Sequence, residues 1–545
     1  MAFGWDDAAI YGAILGLDFI YHRYLNPPPS PKPPTYEVKV PITDVGAPFP
    51  LIYGMCRVRK PVLAWNSIPI AYQTNDAPSF NGVPIFPAGT FLYAMSMFFV
   101  LGTPFATTGW PTFGVYNHVH SFYVSDQKLA AGTSGGIFGG AASLGALTGG
   151  GGYELPCGVG SPQIDATGTP TSSHGVYMNG AIEFLNGNPD QLLVASTVPY
   201  GSGTYAGNQM SVAGHPERIP GYRGLMGVFL FSLDSNSKIR VGPNTLDAAW
   251  VAGATAQLDG YSFEASSYPP VPLAAQRMIG SDANPIDVLY DLLTGTRGKL
   301  GLSTSLIDTV SFAAAATTLA AEAHGYSRAI EDGQTAEASI AEILIQIDGV
   351  LFFDPTANLI KIKLVRADYD PAAVVEISPD NCEALQSVSI AGWTGLPNRI
   401  RVTYTSRSNS YIDDMVTAQN HANAIGQDGA VNEIQLSFPG VCTSTLAMAI
   451  AQRELAARSR PITKLTAKVD RTFLASNPGD VVAVSWPQYG WSRILFRVAT
   501  VGRGTLADGT VTLGLIQEYF QVYRGSPRSG PITTSFPHSS GTTVG

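Results

Sequence analysis

Charge is scarce in this chain. Only 13% of its 545 residues are Asp, Glu, Lys or Arg, against about 25% in an ordinary soluble domain. A solitary protein carries more charge than this on its surface, so the shortage suits a chain largely covered by partners. The charges that are present sum to -9, which argues against a general nucleic-acid binder needing a basic face to displace counterions. Ordinary solubility is the plainest reading of that excess. Cysteine is equally sparse: Cys56, Cys157, Cys382 and Cys442 lie far apart, with no CxxC pair. A disulfide framework needs denser cysteine and a zinc site needs paired spacing. The four therefore read as buried thiols of a protein assembled in a reducing cytoplasm. No comfortable membrane span is evident, since the apolar run within residues 7–24 is short and contains Asp18. Asp6 and Asp7 stand where a secretory signal carries its basic region, so no leader is expected. Phosphate loops, HExxH and paired glycosidase acids are also missing.

Apolar residues make up 45% of the chain, with 58 Gly and 39 Pro. This composition predicts a β-rich protein with long ordered loops, and the length suggests about three to four domains. Residues 7–24 predict a helix capped by Asp6 or Asp7 and apolar nearly all round, with Ile10, Ile14, Leu17 and Ile20 as its partner-interface candidates. Gly12 and Gly16 permit close helix approach. Such a helix must be buried in its own body, against a partner or another copy, or in a membrane. The stretch NPPPSPKPPT at 26–35 is a stiff extended spacer. A helix meant for the chain's own core needs no such rod, which favours a partner.

From Tyr36 the pattern becomes strand-like, through YEVKVPI and then APFPLIYGMCRVRKPVLAW. Further strands are expected at Thr90–Leu101, Tyr116–Val124 and Pro220–Leu233, with a low-complexity Gly/Ala/Ser loop over 131–153. Helical spacing follows Asn284-Pro285, covers Phe312–Ala323, and resumes after a Thr335 cap until Gly349. Val350–Phe353 and Leu359–Val365 form a predicted hairpin, 398–405 and 433–438 are strands, and Thr443–Ser459 is a helix. Lys464–Phe520 holds four β-branched and aromatic runs. They are separated by Asn477-Pro478-Gly479-Asp480, Pro487-Gln488-Tyr489-Gly490 and Ala507-Asp508-Gly509. These turns predict an antiparallel meander that closes as a small barrel or packs as half a sandwich.

Candidate chemistry is thin. Gly132-Thr133-Ser134-Gly135-Gly136 fits G-x-S-x-G, but a nucleophile elbow needs a strand before it and a helix after it. His118 and His120 share one face of a strand without an evident third ligand. Asp413-Asp414 reads as an ordinary loop, or as ion-pair partners for Arg401 or Arg407. Accordingly, no catalytic, cofactor-binding or metal-binding residue is assigned. Trp65, Tyr222, Arg223, Trp486, Tyr489 and Trp491 are of the types enriched in protein interfaces, with burial inside the subunit as the alternative.

Five segments in order resemble one family. They are Pro50-Leu51-Ile52-Tyr53-Gly54 with Arg57-Val58 and Trp65; Tyr177–Gln191 with Pro220–Gly224; Asn284-Pro285 with Tyr290–Leu293 and Ile347–Phe352; Asn398–Val402 with Asp413-Asp414; and Pro478–Asp480 with Tyr489-Gly490. Over roughly 45–520 the chain resembles phage tail proteins that form the central hub of the tail tip or baseplate, including lambda-type tip proteins and gene-transfer-agent tail hubs. The resemblance implies a β-rich α+β fold with two β-barrel-like ring domains, plus α/β domains. It also implies a homotrimer that adapts a sixfold tail tube to a threefold tip in the virion tail. The expected organisation is helix 1–26; spacer 27–35; first hub domain 36–270, with the glycine loop as part of its insertion; α/β domain 271–380; second barrel 381–410 with 460–525; small mixed domain 411–459; and tail 526–545. Expected partners are a distal tail or tube ring protein, the C-terminal region of the tape-measure protein, tail fibre or tip proteins, DNA in transit, and the host membrane during ejection. The helix at 7–24 and the glycine loop have no counterpart in that pattern. Two rival readings remain. A virion-associated hydrolase predicts that purified protein clears cell-wall polymer, and an adhesin predicts that it blocks adsorption.

Overall fold

The computed structural model describes residues 49–66, a set of short strands between 70 and 253, and residues 261–520 with brief gaps. The predicted helix 7–24, the spacer 26–35, the run 36–42, residues 131–151 of the glycine loop and the tail 526–545 lie outside the described residues. The chain divides into two compact units, Met1–Leu51 with Val58–Ala265, and Ile52–Arg57 with Ser266–Gly545. The architecture is β-rich α+β.

In the first unit, a five-stranded sheet is built in the order Gly152–Cys157, Gly180–Asn186, Met226–Phe231, Met97–Gly102, Val62–Asn66. Met97–Gly102 is buried along its whole length, as an unbroken apolar run with neighbours on both sides should be. Gly227 lies where a Cβ would stand 2.7 Å from the Phe99 carbonyl, so only glycine admits this strand spacing. Phe99 packs against the rings of Tyr261 and Phe263, at 5.7 and 5.5 Å. The run expected at Thr90–Leu101 breaks into Phe91–Ala94 and Met97–Gly102, in different sheets. The last residues of the glycine-rich stretch belong to the strand Gly152–Cys157.

The second unit receives strand β1 (Leu51–Val58), which lies beside the short strand Arg328–Ile330. Helix α1 (Pro285–Thr294) starts as expected: Asn284 accepts from the Ile286 N–H, and proline fills the first turn. Helix α2 (Thr309–Ala321) begins three residues earlier than its alanine run suggests, and Phe312 packs edge-on to Tyr290 at 6.4 Å. Helix α3 (Ala336–Ile347) is capped by Thr335. It ends on Asp348 in the left-handed conformation (φ 53°), one residue before the expected Gly349, which opens a strand instead. Strands β2 (Gly349–Asp354) and β3 (Leu359–Leu364) then form the predicted hairpin.

Two more layers complete the unit. In the first, β6 (Arg399–Ser406) alternates outward and inward residues; it pairs antiparallel with β7 (Ile412–Gln419) and parallel with β8 (Glu433–Phe438). Helix α4 (Ser444–Arg458) covers this sheet, burying Ala447, Ile450 and Ala451 against Ile400, Val402 and Tyr404. The second is a six-stranded sheet of β4 (Glu376–Ile377), β5 (Cys382–Ile390), β9 (Thr463–Val469), β10 (Val481–Trp486), β11 (Trp491–Gly502) and β12 (Val511–Gln517). Its spatial order is β4-β10-β11-β12-β9-β5.

This order corrects the simple meander. Strand β9 pairs with β12, from Lys464↔Ile516 to Val469↔Val511, and not with β10. The reason lies in the connection between β9 and β10. At residues 470–480 it is too long for a tight hairpin, which takes about two to five residues. It instead forms a 3-10 turn at Arg471–Ala475 that inserts Phe473 into the core. The two edge strands, β4 and β5, are joined by residues 378–381 alone. Four residues span at most about 14 Å, so the sheet must curl, giving a half-barrel.

Candidate functional site

Two groups of side chains stand out, both in the second unit. The first is an aromatic corner at the β10–β11 hairpin. Gly490 takes the left-handed conformation (φ 66°) that turns the chain, which places Trp486 opposite Trp491. Tyr489 stacks on Trp491 at 4.9 Å, and Trp491 leans on Phe496 at 5.7 Å. Trp486 and Trp491 are half-buried against the half-barrel core, while Tyr489 remains 43% exposed. Arg493 anchors the hairpin base, 2.5 Å from Glu376 and 3.0 Å from the Pro371 carbonyl. The Ser485 hydroxyl donates to Glu376 and accepts from the Arg493 N–H. The Ser485 bond, followed by Arg493, holds the Glu376 carboxyl below its usual range.

The structure thus brings Trp486, Tyr489 and Trp491 together. Trp65 is half-buried in the first unit, opposite Phe98. Ile10, Ile14, Leu17, Ile20, Tyr222 and Arg223 lie outside the described residues.

The second group surrounds β1. Tyr53 is fully buried and donates its hydroxyl to Asp291 at 2.8 Å, where Lys299 also binds at 2.5 Å. Burial, then the Asp291 charge, raises the Tyr53 phenol well above its ordinary pKa. The Met55 N–H donates to the Ser281 carbonyl, and the Met55 carbonyl accepts from Arg407 at 3.1 Å. Arg407 is ion-paired with Asp282, which also accepts from Ser327 at 2.6 Å. Burial opposes the Arg407 charge, yet the adjacent Asp282 raises its pKa. Arg57 closes the ring by donating to the Ser410 carbonyl at 3.2 Å.

Sequence reasoning missed this cluster because its members lie up to 353 positions apart. The available signal was a set of polar residues inside otherwise apolar motifs: Tyr53, Arg57, Asp282 and Asp291. Arg407 takes Asp282 and Arg401 takes Glu433, so neither pairs with Asp413-Asp414 as offered above. Those two aspartates belong to strand β7, an edge of its sheet, and accept from the Thr405 and Tyr404 hydroxyls.

Among the described residues, no group of three His, Cys, Asp or Glu side chains is placed to hold a metal. His118 and His120 share the strand His118–Val124. Cys56, Cys382 and Cys442 are buried free thiols, and burial pushes Cys442 up to about 12. The Gly132–Gly136 stretch is outside the described residues. A cleft of about 300 Å³ lies between Lys363, Tyr369, Val375 and Val481; of its charged lining residues, Lys363 pairs with Asp480 and Arg497 with Glu518, and Asp368 also lines it. No helix among the described residues is long and apolar enough to cross a membrane.

In comparison with known proteins, residues 313–501 match the model of the family described as "Putative phage tail protein". That stretch runs from α2 to β11 and bears out the resemblance to phage tail proteins. No curated protein sequence matches the chain. Among solved structures, a chain of the native gene transfer agent virion aligns over 89% of this chain and 88% of its own, at 13% identity and TM-score 0.45. A tail protein from Neisseria meningitidis MC58 aligns over 47% and 74%, at 11% identity and TM-score 0.30. The 43 kDa tail protein of prophage MuSo2 from Shewanella oneidensis aligns over 35% and 55%, at 16% identity and TM-score 0.24.

Proposed function

We propose that this chain, phage-tail-like over residues 313–501, is the central hub of a tail tip or baseplate. Three copies form a ring that joins the sixfold tube to a threefold tip and frames the DNA channel. The observation that carries the reading is the family match, which spans the α/β elements, the α4-covered sheet and most of the half-barrel. The role is mechanical rather than catalytic. In this reading the half-barrel is one of two ring-forming domains in each subunit, and the other lies within residues 36–270. Shortage of charge supports extensive coverage by partners: a distal tube ring protein, the tape-measure C-terminus, and fibre or tip proteins. The aromatic corner supports a contact at the half-barrel, because a stacked Tyr–Trp pair held by a charged base supplies rigid area at low entropic cost.

Mixing the purified chain with a tube-end protein tests the proposal. The expected product is a threefold ring seen by negative-stain electron microscopy, with the mass of three chains. A persistent monomer that never joins the tube end would overturn it. Tyr489→Ala is expected to weaken assembly by about 2 kcal/mol per contact, against about 1 kcal/mol of monomer stability lost with the Trp491 stack. The segment 7–24 belongs to the same reading as a tape-measure ligand or a plug of three helices in the channel. Normal tape-measure retention and tail assembly after deletion of residues 1–26 would remove that part.

A further inference from the structure

The turn joining β6 to β7 is strained. Ser410 and Tyr411 both adopt left-handed conformations, with φ 53° and 62°. For a bulky residue such as tyrosine this is an outlier that persists only where its surroundings enforce it. Tyr411 is 2% exposed, and its N–H donates to the Ser406 carbonyl at 2.8 Å. Besides the backbone bonds of Thr405 and Arg407 to the Val441 and Cys442 carbonyls, two contacts tie the turn to β1, and they are reciprocal. Arg57 on the strand grips the carbonyl of Ser410 in the turn, at 3.2 Å. Arg407 at the start of the turn grips the carbonyl of Met55 in the strand, at 3.1 Å. Immediately before Met55, Gly54 is also left-handed, with φ 64°. Its absent Cβ would lie 2.1 Å from Ser327 Oγ, the hydroxyl that binds the Arg407 partner Asp282.

We propose that Ile52–Arg57 and Ser406–Tyr411 form a strain-loaded clasp, a conformational device that opens as one unit before the rest of the second unit unfolds. Closed, each half supplies the charged donor that the other half's backbone accepts. Without Arg57 the turn loses a contact that holds Ser410 left-handed, and without the turn the strand loses the Arg407 donor at Met55. Opening releases the strain and solvates both guanidinium groups, so it costs less than opening an unstrained hairpin of the same length. The inference rests on geometry within the second unit and does not depend on the hub reading.

Hydrogen exchange read by mass spectrometry on the full chain tests it. In the wild-type protein, peptides covering 52–57 and 406–411 should exchange at one common rate, faster than peptides from β9 and β12. Arg57→Ala should raise both rates at least about tenfold, the loss expected for one bond to a charged donor, without changing β9 or β12. Ser410→Gly, which relieves the left-handed strain but keeps the carbonyl, should slow both segments together. Acceleration confined to 52–57 in Arg57→Ala would overturn the proposal, as would Ser410→Gly leaving 52–57 unchanged. Should Arg57→Ala fail to fold, the Ser410→Gly comparison decides alone, since it removes only a half-buried hydroxymethyl group.

Discussion

Gly54→Ala should be among the most damaging single-methyl changes in the second unit, and its cost can be built from two sources. The left-handed φ of 64° disfavours any residue with a Cβ by about 1–2 kcal/mol. The new methyl would also meet Ser327 Oγ at 2.1 Å, the Tyr326 carbonyl at 2.7 Å and the Ala283 nitrogen at 3.0 Å. Only the first of these can rotate away, and it does so by leaving Asp282 without its 2.6 Å bond. Overpacking against fixed backbone costs about 1–3 kcal/mol, so the total is about 2–5 kcal/mol. Gly490→Ala provides the matched control, because Gly490 has φ 66° with nothing within 4 Å of its Cβ position. It should lose only the conformational part, about 1–2 kcal/mol. The slowest-exchanging amides of β12 report the unfolding free energy of the unit in both variants. Equal losses in the two would refute the claim that close packing around Gly54, rather than its φ alone, makes glycine necessary.

Three further outcomes follow from named contacts. Arg407→Ala strands the buried Asp282 carboxylate and should cost about 3–5 kcal/mol. Adding Asp282→Asn should recover part of that loss in a double-mutant cycle, and strict additivity would show that the pair is not coupled. Phe473→Ala empties the plug between β9 and β10, with an expected loss of about 3–5 kcal/mol by chemical denaturation. His324 is buried, and burial, then Arg453 and Arg366, lowers its pKa from 6.5 to about 3. The folded form therefore keeps the imidazole neutral while the unfolded chain takes up a proton. This contribution is complete above pH 6.5 and is lost as pH falls from 6.5 toward about 3. Titrating stability against pH should show a slope over that window, and His324→Gln should flatten it.

The elements legible in the sequence are those whose causes are local. Asn284 and Thr335 cap the helices they precede because a side-chain oxygen reaches an N–H two or three residues on. The β2–β3 hairpin is closed by Asp354, which accepts from the Thr356 N–H in the turn and from Lys361 on β3. The half-barrel was legible as strands but not as an order. Turn signals identify where a chain reverses, whereas β9 reaches β12 through backbone bonds that leave no mark in the intervening residues. The parallel contacts β4–β10 and β6–β8 are equally silent. Asp413-Asp414 suggested a loop by its charge, but an edge strand with one exposed side tolerates both. The clasp was illegible for the same reason of distance: Tyr53 and Arg57 look like ordinary strand residues until Asp291 and Ser410 are brought beside them.

That distance also sets a timetable for biosynthesis. Arg57 must wait for Ser410, which follows it by 353 positions. At ribosomal speeds of about 5–20 residues per second, the delay is roughly 20–70 s. Other partners of the strand arrive sooner: Ser281, Asp291 and Arg328–Ile330 all precede Ser410 in the chain. Completion of the second unit is therefore an event of the nearly finished chain. A nascent chain arrested before the turn holds that strand without the two reciprocal arginine bonds, Arg57 to Ser410 and Arg407 to Met55.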